Sequence, residues 1–207
     1  MIYRSRTTTG DRYTEIILPS KPYKVFVSGG FDSALLLFIL CSQARDINQS
    51  TVTAAVVDRG FGSVNFARRV CSWAGQRTGI KVDVQELKIS PELPHGQHIS
   101  EPAASLHEQG FITISADTQN PENVDFPGAE PKRIPPNSRF TNWLFPFSGI
   151  DKTHTLFIAK QLGVLDEIAT ITHTCTDSHD LRCGKCWQCS ERIWAFDQLG
   201  WTDIGKY

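Results

Sequence analysis

The chain has 207 residues, an apolar fraction of 40% and a formal net charge of -1 at pH 7. This length favours one domain with a full core. The near-neutral charge disfavours sequence-independent nucleic-acid binding, which needs a basic surface. No stretch reaches the roughly 18 apolar residues that span a bilayer, and the first residues contain no apolar signal region. We therefore expect a cytoplasmic protein that acts on a small molecule. We expect neither membrane association nor a nucleic-acid partner.

Strand-like and helix-like segments alternate through the first two thirds of the chain. Short β-branched runs predict strands, and longer apolar runs without strict alternation predict helices. The predicted strands are Val25–Val27, Val52–Val57, Val82–Leu87 and Phe111–Ser115. The predicted helices are Ser33–Arg45, Val64–Gly75, Ala103–Gln109 and Asp151–Leu162. This order predicts a Rossmann-like α/β fold, in which a doubly wound parallel sheet carries helices on both faces.

Two of these elements allow a more specific expectation. Val82–Leu87 alternates apolar and polar residues, so we expect it near an edge of the sheet. The last predicted helix has three candidate N-caps, Ser148, Asp151 and Thr153, and Gly163 is a suitable C-terminal stop.

The segment from Thr118 to Pro146 breaks the alternating pattern. Six prolines interrupt it, and it has little hydrophobic periodicity. A long loop of this kind is expected to be a lid, a binding loop or a disordered segment. Its basic residues Lys132, Arg133 and Arg139 could reach a phosphate or carboxylate if it closes over a site, and a static surface loop is the alternative.

A glycine-rich loop separates the first predicted strand from the first predicted helix. It reads Ser28-Gly29-Gly30-Phe31-Asp32-Ser33. The two glycines allow a tight turn and close backbone approach, and the following helix offers free amide groups with a positive dipole end. In a doubly wound sheet, ligands bind beyond the carboxyl ends of the strands, which is where this loop lies. The pattern is neither the common P-loop nor a dinucleotide fingerprint. It predicts a phosphate site, with a capped glycine turn as the alternative.

Four of the six cysteines lie close together near the end of the chain. They are Cys175, Cys183, Cys186 and Cys189. Clustered cysteines in a protein expected in the cytoplasm indicate metal ligands, and four thiolates can complete the tetrahedral shell of a structural Zn²⁺. An iron–sulfur cluster is the alternative, because four cysteines hold those as well. Cys41 and Cys71 fall in helix-like runs, where we expect buried apolar packing.

The two motifs together resemble a known family. The SGGxDS loop is similar to that of the N-type ATP pyrophosphatases, also called the PP-loop superfamily. The tail resembles 7-cyano-7-deazaguanine synthase in its four cysteines and in Arg192, Phe196, Gly200, Asp203 and Tyr207. The stretch FPFSGIDKTHTLFIAKQLGV, which contains Asp151 and Lys152, also looks like that family.

The resemblance implies a two-step, ATP-dependent ligase reaction. The carboxylate of 7-carboxy-7-deazaguanine attacks the α-phosphate of ATP, pyrophosphate leaves, and ammonia displaces AMP to form an amide. A second ATP then activates the amide, and the nitrile 7-cyano-7-deazaguanine results, a step of deazapurine and queuosine biosynthesis. ATP, Mg²⁺ and a structural Zn²⁺ are the implied cofactors, the carboxylate and ammonia are the implied small-molecule partners, and a homodimer remains open.

The resemblance also implies roles for individual residues. The catalytic residues are Asp32, Ser33 and Lys152. Nucleotide binding is expected from Ser28, Gly29, Gly30, Asp32, Ser33 and Asp58. Arg59 is added because it follows the second strand at the same edge, where it could pair with a phosphate or a substrate carboxylate, and a solvated loop arginine is the alternative. For Lys152, a surface lysine at the start of a helix is the alternative. We expect residues 1–170 to form the ATP pyrophosphatase domain, and residues 171–207 to form a zinc-binding segment packed on that same domain.

The chain departs from the family pattern in two places. The sequence that follows the second strand is Asp58-Arg59-Gly60-Phe61-Gly62, where the family has Tyr-Gly-Gln-x-His after the aspartate. A Pro-Gly-Arg-Asn segment is not evident between Ile89 and Ala104. A related enzyme that adenylates another carboxylate, for amide ligation or in a defence pathway, therefore stays an alternative. RNA thiolation and a non-catalytic nucleotide-binding subunit are further alternatives.

Overall fold

The structure is a computed structural model, and it describes residues 1–58, 62–88, 99–121, 124–126, 128, 142–178 and 181–205. Within these residues there are seven strands and six helices. The strands are β1 Ile2–Thr7, β2 Gly10–Glu15, β3 Tyr23–Phe26, β4 Thr51–Val57, β5 Lys81–Leu87, β6 Ile112–Ile114 and β7 Trp143–Leu144. The helices are α1 Phe31–Asp46, α2 Ser63–Thr78, α3 Ser100–Glu108, α4 Lys152–Gln161, α5 Leu165–Ile171 and α6 Trp187–Leu199.

Five strands form a parallel sheet in the order β5-β4-β3-β6-β7. In the central strand β3, Val25 pairs with Ala54 on one side and with Ile114 on the other. The predicted edge position of β5 is confirmed, because β4 is its sole neighbour in the described sheet. The chain winds outward from β3 to β5 and then crosses back to β6. The strand order therefore reverses at β3 and β6, and their carboxyl ends open a crevice for a ligand.

Alternate residues of β3 enter two cores, one on each face of the sheet. Val25 and Val27, the latter directly after the strand, pack in the larger core, which includes the apolar side of α1. Phe26 points to the opposite face, where it joins a smaller core with Ala103 and Leu106 of α3. Helices thus cover both faces, which confirms the predicted Rossmann-like α/β fold.

An N-terminal hairpin, formed by the antiparallel strands β1 and β2, packs on α4. Its contacts surround His154, whose Nδ1 atom lies 2.7 Å from the Ser5 hydroxyl. Thr7 and Thr9 lie within hydrogen-bond distance of the other ring nitrogen. Burial lowers the pKa of His154, so the ring is neutral among these hydroxyls near pH 7. Thr7 and Thr9 also lie within hydrogen-bond distance of the Thr153 hydroxyl, so the hairpin contacts the first turn of α4, which carries Lys152.

The start of α4 agrees with one of the three proposed caps. Asp151 is the N-cap residue, and its carboxylate accepts a hydrogen bond from the Thr153 amide at 2.9 Å. The helix ends at Gln161 with Leu162 as its C-cap residue, and Gly163 follows with a φ of +69°, the left-handed conformation that favours glycine. No helix among the described residues combines the length and apolar character that a membrane crossing needs.

Two buried arginines fasten the end of the chain to the fold. Arg192 donates to both carboxylate oxygens of Asp203, at 2.7 and 2.8 Å, and Arg182 donates to the same carboxylate at 2.8 Å. Burial would raise the pKa of Asp203, but the hydrogen bond and charge of Arg192, together with the charge of Arg182, hold the pKa below its ordinary value. Helix α6 contributes Ala195 and Phe196 to the larger core. The domain boundary at residue 170 stays a prediction.

Replacing Asp203 by alanine should lower the free energy of unfolding by about 3–5 kcal/mol, because two buried guanidinium groups lose their carboxylate. The folded-state pKa of Asp203 lies below the unfolded value of about 3.9. The contribution of the Asp203 carboxylate to the free energy of unfolding is therefore complete above pH ~3.9, and it is lost as the pH falls through the folded-state pKa. Urea unfolding of wild type and Asp203→Ala should show a large difference at pH 7 that shrinks in stronger acid. Asp197→Ala, which removes an exposed carboxylate from α6, is the control, and equal stability of all three proteins at pH 7 would contradict the account.

Candidate active site

The predicted phosphate loop lies at the point where the strand order reverses. It leaves the carboxyl end of β3 and leads into α1, whose N-cap is Gly30. The N-cap residue Gly30 has no side chain that could cap α1, so the amide groups of the first turn remain available to a ligand. These amides and the positive end of the helix dipole make the loop suitable for an anion such as a phosphate group.

Two serines hold the loop in shape through a closed set of hydrogen bonds. The Ser33 hydroxyl donates to the Gly30 carbonyl at 3.0 Å. Ser33 Oγ lies 3.1 Å from Ser28 Oγ and accepts from the Ser28 amide at 3.3 Å. The Gly30 amide donates to Ser28 Oγ at 3.4 Å. Because Ser33 donates its proton to a carbonyl, Ser28 is the donor between the two hydroxyls. The loop is thus preorganised before any ligand arrives.

The two glycines of the loop have different reasons to be glycine. Gly29 has a φ of +82°, and a Cβ atom there would lie 2.6 Å from Phe66 Cβ and 2.8 Å from the Ala67 amide nitrogen. The fold itself therefore requires Gly29. Gly30 has a negative φ of -83°, and a Cβ there would meet Ser28 Oγ at 3.4 Å and Thr174 Cγ2 at 3.7 Å, which are ordinary contacts. The fold does not require Gly30, so its open surface is free for close approach by a ligand.

Asp32 and Lys152 come together beside the loop, from two distant parts of the sequence. The Lys152 ammonium donates to Asp32 Oδ2, and the Thr155 hydroxyl donates to Asp32 Oδ1 at 2.8 Å. The side chains of Lys152 and Asp32 are 4% and 13% exposed, so water screens this ion pair weakly. The structure thus brings together Asp32, Ser33 and Lys152, the three residues for which we predict a catalytic role.

Glu191 adds a second carboxylate to the same ammonium. Its Oε2 atom lies 3.3 Å from Lys152 Nζ, and its side chain is 2% exposed. Three charged side chains from α1, α4 and α6 therefore meet here, of which Lys152 and Glu191 are buried and Asp32 is largely buried. Neither Glu191 nor Thr155 was predicted as a site residue, because no periodicity or spacing links either of them to Asp32.

Asp58 lies at the same sheet edge as the phosphate loop, directly after β4. It is exposed, and Ser63 at the start of α2 donates to its carboxylate at 3.4 Å. Arg59 lies outside the described residues, as do Lys132, Arg133, Arg139 and most of the segment for which we predict a lid. The predicted nucleotide-binding roles of Asp58 and Arg59 stay predictions.

The four cysteines of the tail meet at one point. The sulfur atoms of Cys175, Cys183, Cys186 and Cys189 all lie within 4.8 Å of one another. A tetrahedral Zn²⁺ with Zn–S bonds of about 2.3 Å separates its sulfur ligands by about 3.8 Å, so a small contraction closes the shell. The cluster therefore fits a zinc ion.

Backbone amides surround two of these sulfur atoms in the manner that a thiolate requires. Cys175 Sγ accepts from the amides of Asp177 and Cys183, both at 3.4 Å. Cys183 Sγ accepts from the amides of Lys185 at 3.5 Å and Cys186 at 3.2 Å. Burial acts to raise the pKa of the Cys183 thiol, but these amide hydrogen bonds lower it to about 7. Burial raises the pKa of Cys175 and Cys189, and bound metal would supply the charge that keeps them ionised.

The segment that leads into the cysteine cluster also touches the phosphate loop. The His173 amide donates to the Gly29 carbonyl at 3.0 Å, and Cys175 follows two residues later. The His173 ring stacks on Phe66 with centroids 4.2 Å apart, and Phe66 Cβ is the atom that leaves no room for a side chain at Gly29. The metal centre and the phosphate loop are therefore neighbours joined by a direct backbone hydrogen bond.

The fold and the site together define a Rossmann-like α/β protein with a C-terminal four-cysteine cluster that can hold zinc. A curated protein is similar to the chain over most of its length. The 7-cyano-7-deazaguanine synthase of Persephonella marina (strain DSM 14350 / EX-H1) is 27% identical over 221 residues, which cover 86% of this chain and 93% of the relative. This match confirms the predicted resemblance to the 7-cyano-7-deazaguanine synthase family. No family model matches the chain.

The purified protein should contain one zinc ion per chain. Changing Cys186 to serine should release the ion and unfold the tail first, because the binding energy of a structural zinc is also folding energy. Cys71→Ala, which removes a buried cysteine of the core outside the cluster, should leave the zinc content unchanged. Elemental analysis checks both variants. Iron with visible charge-transfer absorbance, or no metal in the fully reduced protein, would contradict the zinc assignment.

Proposed function

We propose that this protein is an ATP-dependent ligase that adenylates a carboxylate and releases pyrophosphate. Its proposed substrates are 7-carboxy-7-deazaguanine and ammonia, and its proposed product is 7-cyano-7-deazaguanine, within a cytoplasmic deazapurine or queuosine pathway. The observation that carries the proposal is the phosphate loop: an uncapped helix N-terminus beside a glycine that the fold does not require. The name of the relative supports the substrate.

In this proposal the phosphates of ATP bind against Gly30 and the first-turn amides of α1. Ser28 and Ser33 hold the loop in the shape that the phosphates need. The Lys152 ammonium, which lies beside the loop, stabilises the charge that develops on the α-phosphate and pyrophosphate as the carboxylate attacks. No covalent enzyme intermediate is needed, because the substrate carboxylate is itself the nucleophile.

Asp32 is the proposed magnesium ligand of the loop. Each of its carboxylate oxygens accepts one hydrogen bond, from Lys152 or from Thr155, and keeps a second lone pair. Mg²⁺ prefers oxygen ligands from one or two carboxylates together with substrate phosphates. Bound there, it would spread the negative charge of the polyphosphate. Asp58, at the end of the neighbouring strand, is the second proposed acidic group.

A related enzyme that adenylates a different carboxylate is the second candidate function. The observation that favours it is the loop after β4, where Arg59-Gly60-Phe61-Gly62 replaces the family's Tyr-Gly-Gln-x-His. The phosphate site and the metal cluster would be the same in both enzymes, and the difference would lie in the pocket that receives the carboxylate.

The two loop glycines provide a matched pair of variants. Gly30→Val should fold normally but weaken binding of an ATP analogue at least tenfold, because its branched side chain occupies the surface that the phosphates approach. Gly29→Ala should instead lower the melting temperature, because its Cβ overlaps Phe66. Calorimetry and thermal unfolding measure the two effects. A folded Gly30→Val protein that binds the ATP analogue as tightly as wild type would contradict the assignment of the loop.

The reaction itself is tested by incubating the zinc-loaded protein with MgATP, ammonium and 7-carboxy-7-deazaguanine. We expect AMP, pyrophosphate and, by mass spectrometry, the nitrile product. A Lys152→Met variant should lose at least 99% of this activity, because removing one electrostatic group typically lowers kcat by about 10²-fold. The same variant is the control for activity from a contaminating enzyme. Pyrophosphate release only with other carboxylates would favour the second candidate. ATP binding without pyrophosphate release from any carboxylate would reject the enzyme proposal.

A further inference from the structure

We propose that Glu191 is a positioning residue of the phosphate site, which holds the Lys152 ammonium beside Asp32 and the loop. Glu191 lies on α6, two residues after the metal ligand Cys189. The inference rests on the proposed function, because it assigns a task to Lys152 in phosphate binding, and it adds a residue from the metal-binding tail to the site.

The position of Lys152 is unfavourable without its two carboxylates. Lys152 is the first residue of α4, where the positive end of the helix dipole repels an ammonium group. It is also buried, and a buried lysine loses its hydration. Asp32 and Glu191 offset both costs by direct ion pairs. A neutral residue would be sufficient if this position contributed only to packing. The charge of Lys152 therefore has a role toward a ligand.

The two carboxylates have different environments and therefore different tasks. Asp32 lies in the first turn of α1, where its carboxylate is close to the site of an incoming phosphate group. Glu191 is 1% exposed and contacts the same ammonium from α6. When a polyphosphate binds, the ammonium can turn from Asp32 toward the phosphate oxygens while Glu191 keeps hold of it. Lysine has a flexible four-carbon stem, so this second anchor limits where the ammonium can go.

Residues on both sides of Glu191 in α6 are anchored, which holds its carboxylate in position. Cys186 is the N-cap residue of α6 and Cys189 lies in its first turn, so a metal bound by these cysteines fixes the start of the helix. Arg192, the next residue, anchors the same turn through Asp203 and the Ala169 carbonyl. Glu191 is thus placed between two rigid anchors, as a residue that positions a mobile lysine must be.

The test compares the binding of inorganic pyrophosphate and of a non-hydrolysable MgATP analogue in zinc-loaded variants. Glu191→Gln, which removes the charge and keeps the shape, should weaken pyrophosphate binding at least tenfold, on the scale that buried charge pairs show when one partner is lost. In steady-state kinetics, kcat should fall while KM for the carboxylate substrate stays within about twofold. Glu191→Asp, which keeps the charge, should retain binding within about threefold. Asp197→Ala, an exposed acid on the same helix, should bind as wild type.

A double-mutant cycle shows whether Glu191 acts through Lys152. In a Lys152→Met background, Glu191→Gln should cause no further loss of pyrophosphate binding, since the group that it positions is gone. Additive losses would overturn the proposal. Wild-type affinity for pyrophosphate in folded, zinc-loaded Glu191→Gln would also overturn it, as would equal losses of affinity in Glu191→Asp and Glu191→Gln. In each of these cases the proposed function stands. A wild-type protein that binds neither pyrophosphate nor the ATP analogue would reject the proposed function and the positioning role together.

Discussion

The ion pair between Lys152 and Asp32 connects the two halves of the sheet across the crevice where the strand order reverses. Asp32 follows β3, and Lys152 follows β7, the last strand on the other side. The pair is buried, so its attraction is strong, and each partner would be costly to leave alone. The phosphate loop, the start of α4 and the start of α6 must all adopt compatible positions for this ammonium to be paired. The geometry of the candidate active site follows from that requirement.

The four-cysteine cluster acts on the same site from outside the crevice. Its first cysteine lies two residues after His173, whose amide bonds to the Gly29 carbonyl, and its last lies two residues before Glu191. A closed shell of four thiolates has no open position for chemistry. A metal bound there would fix both chain segments that touch the loop and the lysine. The four-cysteine cluster and the phosphate loop are therefore parts of one structural unit.

The sequence was sufficient for the elements whose signal is local. The parallel sheet, the edge position of β5 and the Asp151 cap follow from hydrophobic patterns and cap chemistry, and the cysteine cluster follows from spacing. The N-terminal hairpin, β7 and α5 were missed, because each is short or has no strong pattern of its own. Helix α6 was missed as well, because the tail was interpreted through its cysteines alone. Glu191 was missed for a different reason: its significance lies in a contact with Lys152, and no sequence rule predicts which buried ions will meet. The distinct roles of Gly29 and Gly30 likewise required their surroundings.

The most direct test of this coupling is hydrogen exchange at the His173 amide, measured with zinc bound and after its removal by a chelator. The account predicts strong protection in the zinc-bound protein, because this amide bonds to Gly29, and a large loss of protection without zinc. Protection in β4 should persist, which would show that the sheet remains folded. Equal protection of the His173 amide in both states, with the zinc removed, would contradict the claim that the metal centre holds the phosphate loop in place.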